Sequence, residues 1–317
     1  METREILAGV RAGERRAIGR AISLIEGRGD AGRELLRELH PATGRAIRLG
    51  VTGSPGVGKS TLIGALIATL RRSGRTVAVV SIDPTSPFTK GAVLGDRIRL
   101  TDHFLDPGVF IRSMASRGHL GGLSEATAGA VLVLDAAGFD VVIVETVGSG
   151  QNEVEVQTLT ETVALVLMPG SGDSIQALKA GLMEIPDVLV INKADRPGAD
   201  QLRSELEATM SLVPARAWEP PIVETRAHEA AGVDELWAAI ERHRAHLTEA
   251  GLMDERRRDG LRRQLRALAL DRLGRLLDGA CDIDFIDGLV GEVLARTVDP
   301  DTAVDSVLER LEARRTA

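Results

Sequence analysis

Along most of the chain, short apolar runs alternate with longer stretches whose apolar residues recur every three or four positions. The runs are IRLGVT from residue 47, TVAVVSID from 76, VFIRSM from 109, DVVIVET from 140, VALVLM from 163, DVLVINK from 187 and PIVETR from 221. Each is short, rich in β-branched residues and apolar at successive positions, which predicts strands covered on both faces. Helical spacing separates most of them, over 60–72, 122–137, 174–184, 200–210 and 233–248. This repeating β–α order predicts an α/β fold, a doubly wound and mostly parallel sheet flanked by helices.

The two ends read differently. Over residues 1–45, Ile6, Leu7, Val10, Ile18, Ile22 and Ile25 recur at roughly helical spacing, and His40-Pro41 ends the helical RELLREL. From 241 onward the pattern is wholly helical. Leu261, Leu265, Leu268, Leu273, Leu276 and Leu277 form a stripe, DIDFIDGLVGEVLART reads as a second helix, and Asp299-Pro300 opens a third. The expected organisation is a helical N-terminal segment (1–45), an α/β nucleotide domain (46–240) and a helical C-terminal arm (241–317). The stripe on that arm needs a cover, whether the body, a second copy or a partner.

Composition narrows the classes. The chain has 317 residues, 44% hydrophobic and 27% charged, so it reads as an ordinary globular protein. Aromatic residues make up 2% and Tyr is absent, so Leu, Val, Ile and Ala must fill the core. A net charge of −7 argues against nucleic acid, which needs a basic face. The sole cysteine, Cys281, cannot form an intrachain disulfide. The N-terminus mixes Arg with Glu and lacks an apolar targeting core, and no run approaches the roughly 20 apolar residues of a membrane span. A cytoplasmic protein with no membrane partner is expected.

The chemistry starts at Gly53-Ser54-Pro55-Gly56-Val57-Gly58-Lys59-Ser60, followed by Thr61, which fits G-x-x-x-x-G-K-[ST] between a strand and a helix. Glycines let backbone N–H groups close around phosphate oxygens, and the helix start adds its positive end. Lys59 is expected to reach the terminal phosphates and the Ser60 hydroxyl to ligate Mg²⁺. Asn192-Lys193-Ala194-Asp195 matches N-K-x-D, the guanine signature, although taken alone it also fits a turn after a strand. Asp195 can accept from guanine N1–H and the 2-amino group, which adenine does not offer. Asn192 would brace the loop and the Lys193 stem would lie over the ring. In Thr225-Arg226-Ala227, the Ala227 N–H is placed to meet guanine O6.

Glu145-Thr146-Val147-Gly148 stands where many GTPases carry D-x-x-G. Glu145 would sit near Mg²⁺ and Gly148 would sense the γ-phosphate, while the role of Gln151 stays open. Asp83 and Asp96 flank a Pro- and Gly-rich segment suited to ordering around Mg²⁺. Asp83-Pro84 also fits a plain turn, and Asp96 a helix cap. Two further loops, with Arg112, Arg117, Gly118, Gly121 and Gly122 in one and Asp173, Gln176 and Lys179 in the other, follow strands. They would stand at the ligand-binding ends of the sheet or serve as ordinary connections.

Taken together, TGSPGVGKSTL, DPTSPFTKGAVLGDRIR, IRSMASRGHLGGLSEAT, VIVETVGSGQNEVEV and PGSGDSIQALKAGLMEIPDVLVINKAD resemble the MeaB/ArgK-type P-loop GTPases, the group that includes methylmalonic aciduria type A proteins. With the helical tail, the resemblance spans nearly the whole chain. It implies a GTPase that chaperones an adenosylcobalamin-dependent acyl-CoA mutase, typically methylmalonyl-CoA mutase, gating cobalamin loading and protecting or reactivating the mutase. It implies that Asp83, Asp96 and Glu145 join the Mg²⁺ and switch network, with Lys59, Glu145 and Asp96 as the catalytic set. Asp173 and Lys179 would lie in a switch loop coupled to the mutase, and the C-terminal helices would form a homodimer. Departures from the family pattern include Lys90, Ser149, Asn152, Ile185-Pro186 and Arg226.

Other readings compete. Nickel-insertion GTPases share the Glu motif but usually carry His-rich or Cys motifs. Here six His are scattered, and His103 and His119 read as polar loop residues. A small-molecule kinase of the transport-system type would need an acceptor pocket with its own base. An inactive scaffold is disfavoured by the intact Lys59, Ser60 and Glu145.

Overall fold

A computed structural model describes residues 2–83, 97–115, 125–146, 152–170, 186–212 and 217–316. Within them the expected strands form: β1 (Ile47–Thr52), β2 (Val77–Asp83), β3 (Val109–Ala115), β4 (Val141–Thr146), β5 (Thr162–Leu167), β6 (Val188–Asn192) and β7 (Ile222–Thr225). They join one sheet in the order β3-β2-β4-β1-β5-β6-β7, with every neighbouring pair parallel. The all-buried strands β4, β5 and β6 account for the unbroken apolar runs: helices cover both faces, so neither face needs polar side chains.

The described helices are α1 (Thr3–Arg11), α2 (Arg15–Glu26), α3 (Asp30–Leu39), α4 (Lys59–Arg72), α5 (Glu125–Ala136), α6 (Asn152–Leu159), α7 (Ala199–Ser211), α8 (Val233–Glu249), α9 (Met253–Ala280), α10 (Ile283–Leu294) and α11 (Pro300–Thr316). On one face, Leu62, Ile63, Leu66 and Ile67 of α4 and Leu236 and Ile240 of α8 pack against Val77, Val79, Ile143, Val166 and Val190. On the other, Ile18, Ile22 and Leu35 join Ala130 and Leu134 of α5 over Ala78, Val80, Val142 and Val144. The same face carries α7 over β5 and β6, through Leu202 and Leu206. Each fully buried aliphatic side chain contributes about 1.5–3 kcal/mol, so these layers supply most of the driving force.

Three features add to the expected plan. The N-terminal helices are part of the main core, since Ile6, Ile18 and Ile22 share one cluster with the sheet. Helix α6 is unexpected, because NEVEVQTL has no helical apolar period. Its buried Val156 and Leu159, three residues apart, hold it to the sheet, with Val156 seated over Gly50. Third, the compact units are Met1–Arg263 and Gln264–Ala317, with the division inside α9. Helix α8 buries Val233, Leu236, Ala239 and Ile240 in the first unit's core, which keeps residues 241–249 with it. The first turn of α9 is tied to the same body by Arg256–Asp187 and Arg257–Glu161, each at 2.8 Å. The expected helix over 174–184 lies outside the described residues.

Candidate nucleotide site

Strand β1 lies between β4 and β5, where the chain's winding changes direction, and ligands of open parallel sheets bind at the carboxyl ends of such strands. The phosphate-loop sequence follows β1 directly. Its backbone needs glycine at two points. Gly53 has φ +144°, and a Cβ there would collide with the Val166 carbonyl of β5. Gly58 has φ +95°, and a Cβ would lie 2.5 Å from Asn192 Nδ2. The loop therefore passes close beneath the N-K-x-D segment at Asn192, and only glycine permits that approach.

Helix α4 begins at Lys59 with the exposed Thr61 on its first turn. The buried Lys59 ammonium donates to the carbonyls of Gly53 (2.7 Å) and Ser54 (3.0 Å), which holds it inside the loop. An arriving phosphate would replace neutral acceptors with charged ones. Within the loop Pro55 and Gly56 are exposed and Val57 is buried, a turn facing outward on an apolar anchor.

The Ser60 hydroxyl donates to Glu145 Oε1 at 2.8 Å, and the Ser81 hydroxyl donates to Glu145 Oε2 at 2.9 Å. Glu145 is 3% exposed, so its charge depends on such partners. Beside it Thr146 donates to Thr52 Oγ1 at 2.9 Å, linking β4 to β1. A serine hydroxyl and a carboxylate together form a hard-oxygen donor pair that fits Mg²⁺, which completes its shell with phosphate and water. Among the described residues, no group of three or more His, Cys, Asp or Glu side chains is placed to cage a metal.

The N-K-x-D segment is built onto the phosphate loop. Asn192 Nδ2 donates to the Val57 carbonyl (2.9 Å), while its Oδ1 accepts from the Thr225 hydroxyl (3.1 Å) and the Ala227 N–H (3.2 Å). Lys193, at φ +56°, donates to the Gly56 carbonyl at 2.7 Å, so its stem bridges the two loops. Asp195 stands exposed after β6. The Ala227 N–H, expected to face guanine O6, is directed at Asn192 in this structure. Arg226 pairs with Glu229 at 2.7 Å.

Several expected site residues fall outside the described structure: the Asp83 side chain (its backbone ends β2), Asp96, Gly148, Gln151, Asp173, Gln176 and Lys179, together with Lys90, Arg117 and His119. Arg112 proves to be a β3 residue that binds Glu26 and Ser23 of α2, so it fastens the N-terminal helices rather than facing a ligand. His103 Nε2 lies 3.0 Å from the Gly64 carbonyl of α4. Ser81 belongs to no motif, although a lone polar residue in the apolar run TVAVVSID is a usable signal.

At the opposite end of the strands, Thr162 Oγ1, His243 and Asp187 line up at 2.9 and 3.4 Å. All three are buried. Burial, aided by the charges of Arg256, His246 and Arg244, pushes the His243 pKa down to about 3. The neutral ring serves both neighbours if Nε2–H faces Asp187 and the Thr162 hydroxyl donates to Nδ1. Sealed from solvent, this line is structural rather than nucleophilic.

A helix-capped phosphate loop tied to a strand carboxylate, with an N-K-x-D segment locked onto it, is the architecture of the P-loop nucleotide hydrolases that take guanine. The profile of the methylmalonyl Co-A mutase-associated GTPase MeaB matches residues 18–281, and the chain belongs to this family. A protein of Pyrococcus horikoshii named as a GTPase is 44% identical over 98% of both chains. The methylmalonic aciduria type A homolog of Caenorhabditis elegans is 35% identical over 80% of this chain and 68% of its own. Among solved structures, a LAO/AO transport system kinase superposes with a TM-score of 0.73 at 29% identity, covering 98% of this chain and 97% of that one. The chain is thus a GTP hydrolase.

Proposed function

We propose that this GTPase is a Mg²⁺-dependent chaperone of an adenosylcobalamin-dependent acyl-CoA mutase such as methylmalonyl-CoA mutase, gating cobalamin loading and protecting or reactivating that enzyme. The family's name and the aciduria-linked relative support the mutase as client. The observation that carries the GTP chemistry is the buried Ser60–Glu145 link, which joins the phosphate loop to β4 and hence to the segment after it.

Ser60 and Glu145 would hold Mg²⁺, which would supply positive charge against that developing as the terminal phosphate leaves. Lys59 supplies a second positive charge from within the loop. Asp195 selects guanine, while Asn192 and Lys193 hold that segment against the phosphate loop. Asp83 and Asp96 are assigned to the Mg²⁺ and switch network, Gly148 to sensing the γ-phosphate, and Asp173 and Lys179 to coupling with the mutase. Leu270, Leu273, Leu276, Ile283 and Leu294 are exposed, and we assign that apolar surface of the second unit to a homodimer. A cytoplasmic setting goes with this reading.

The test is GTP turnover by the purified protein with Mg²⁺, with and without a candidate mutase and with ATP as control. A GTP-specific rate that rises with the mutase is expected. A rate indifferent to every such mutase removes the client assignment and leaves the GTPase. The solved relative, named as a transport system kinase, favours a second reading, phosphoryl transfer to a small-molecule acceptor. The same assay separates the two, because a kinase yields phosphorylated acceptor in place of free phosphate.

A further inference from the structure

We propose that Ser81, which lies in none of the nucleotide motifs, is a positioning residue for Glu145 and sets the Mg²⁺ affinity of the nucleotide complex. The proposal rests on the Mg²⁺–GTP reading of Ser60 and Glu145. Ser81 and Glu145 are register partners on the neighbouring parallel strands β2 and β4. Partners at one level of a sheet point to the same face. That face carries Val79 and Ile143 and is covered by α4, whose first turn holds Ser60. Register and helix placement thus bring three buried polar side chains together: Ser60 at 5%, Ser81 at 4% and Glu145 at 3% exposure.

Each hydroxyl takes a different carboxylate oxygen, Ser60 on Oε1 and Ser81 on Oε2. A glutamate has one more rotatable bond than the aspartate usual at this place in GTPases, so its carboxylate needs more restraint to stay aimed. Ser60 is also the phosphate-loop hydroxyl expected to bind the metal. A hydroxyl ligates a metal through an oxygen lone pair and keeps its proton, so Ser60 can bind Mg²⁺ and still donate to Oε1 while Ser81 donates to Oε2. Ser81, which has no expected contact with the metal itself, fixes the second carboxylate oxygen and with it the direction in which Glu145 would face the cation.

The experiment measures binding of a fluorescent GDP analogue to the full chain, with Mg²⁺ titrated from a chelator baseline, for the wild type and for S81A, S81T and S81C. Thermal unfolding is followed alongside. In S81A the Mg²⁺ concentration for half-maximal binding is expected to rise about tenfold, the loss of one hydrogen bond to a buried charge. GDP affinity in chelator should stay within twofold, because the loop amides, Lys59 and Asp195 are untouched. S81T restores the hydroxyl and should recover most of the Mg²⁺ dependence. S81C, of similar volume but a weak donor, should behave like S81A. An unchanged Mg²⁺ midpoint in a folded S81A overturns the proposal. So does an equal loss with and without Mg²⁺, which indicates packing alone. Absence of any Mg²⁺ effect in the wild type would instead remove the underlying metal reading.

Discussion

Lys59 and Asp195 occupy opposite environments, and their substitutions should fail in different ways. Lys59 is buried in the phosphate loop and compensated there by carbonyls. Lys59→Ala is expected to lower GTP turnover by at least about 100-fold, because the lost charge acts on the transition state in a water-poor site. Single-turnover hydrolysis checks it, and an unchanged rate would remove Lys59 from the chemistry. Asp195 is exposed, so Asp195→Asn should leave the fold alone. Its loss should shrink the preference for GTP over ATP by roughly 10–100-fold, the worth of charge-assisted bonds to the base. Competition between the two nucleotides measures that ratio, and an intact preference would place guanine recognition elsewhere.

At the scale of elements, the site is a junction of loops that no single strand or helix creates. Asn192 reaches across from the end of β6 to the phosphate loop and to the segment after β7. Asn192→Ala leaves the buried Val57 carbonyl, Thr225 hydroxyl and Ala227 N–H without this partner. Nucleotide affinity should fall by roughly 10-fold or more, although the side chain is a brace rather than a phosphate ligand. Gly53→Ala should be worse, since both its φ and its contact with Val166 exclude a side chain, at a cost of about 1–3 kcal/mol or more. Equilibrium binding and unfolding measurements separate the two: Asn192→Ala should lose affinity more than stability, and Gly53→Ala both.

Across the whole molecule, ionic contacts at the amino-terminal end of the sheet hold α8 and the first turn of α9. Glu161, 1% exposed, is approached by Arg48, Arg244 and Arg257, and Asp187 by Arg256 and His243. His243 sets a pH dependence. Its folded pKa of about 3 lies below its ordinary 6.5, so between these values the unfolded chain holds a proton that the folded one does not. Stability therefore falls as pH drops below 6.5, from this residue by at most about 1.4 kcal/mol per pH unit. Unfolding midpoints from pH 6.5 to 5 should show the slope, and His243→Gln should flatten it; a variant with the wild-type slope would absolve His243. For the second unit, Asp282 caps α10 and Arg310 stacks over Phe285 while exposed leucines remain on the surface. Leu270→Asp with Leu273→Asp is expected to convert the proposed homodimer to monomer in light scattering while leaving basal GTP turnover unchanged.

The strands, the phosphate loop and the N-K-x-D segment could be read from the chain alone, because each depends on neighbours in sequence. A buried parallel strand must be apolar at successive positions, and a phosphate loop needs its glycines, lysine and serine at fixed short spacing. The C-terminal helices were legible for the same reason, since a stripe at helical period is a local property. What the chain could not reveal is which strands lie side by side. β4 inserts between β1 and β2, and only that topology sets Ser81 beside Glu145. The same holds for the burial of the N-terminal helices, the division inside α9 and the seating of α6 over Gly50, each decided by contacts between residues distant in sequence. Local chemistry determined what the site binds; long-range packing decided which side chains hold it in place.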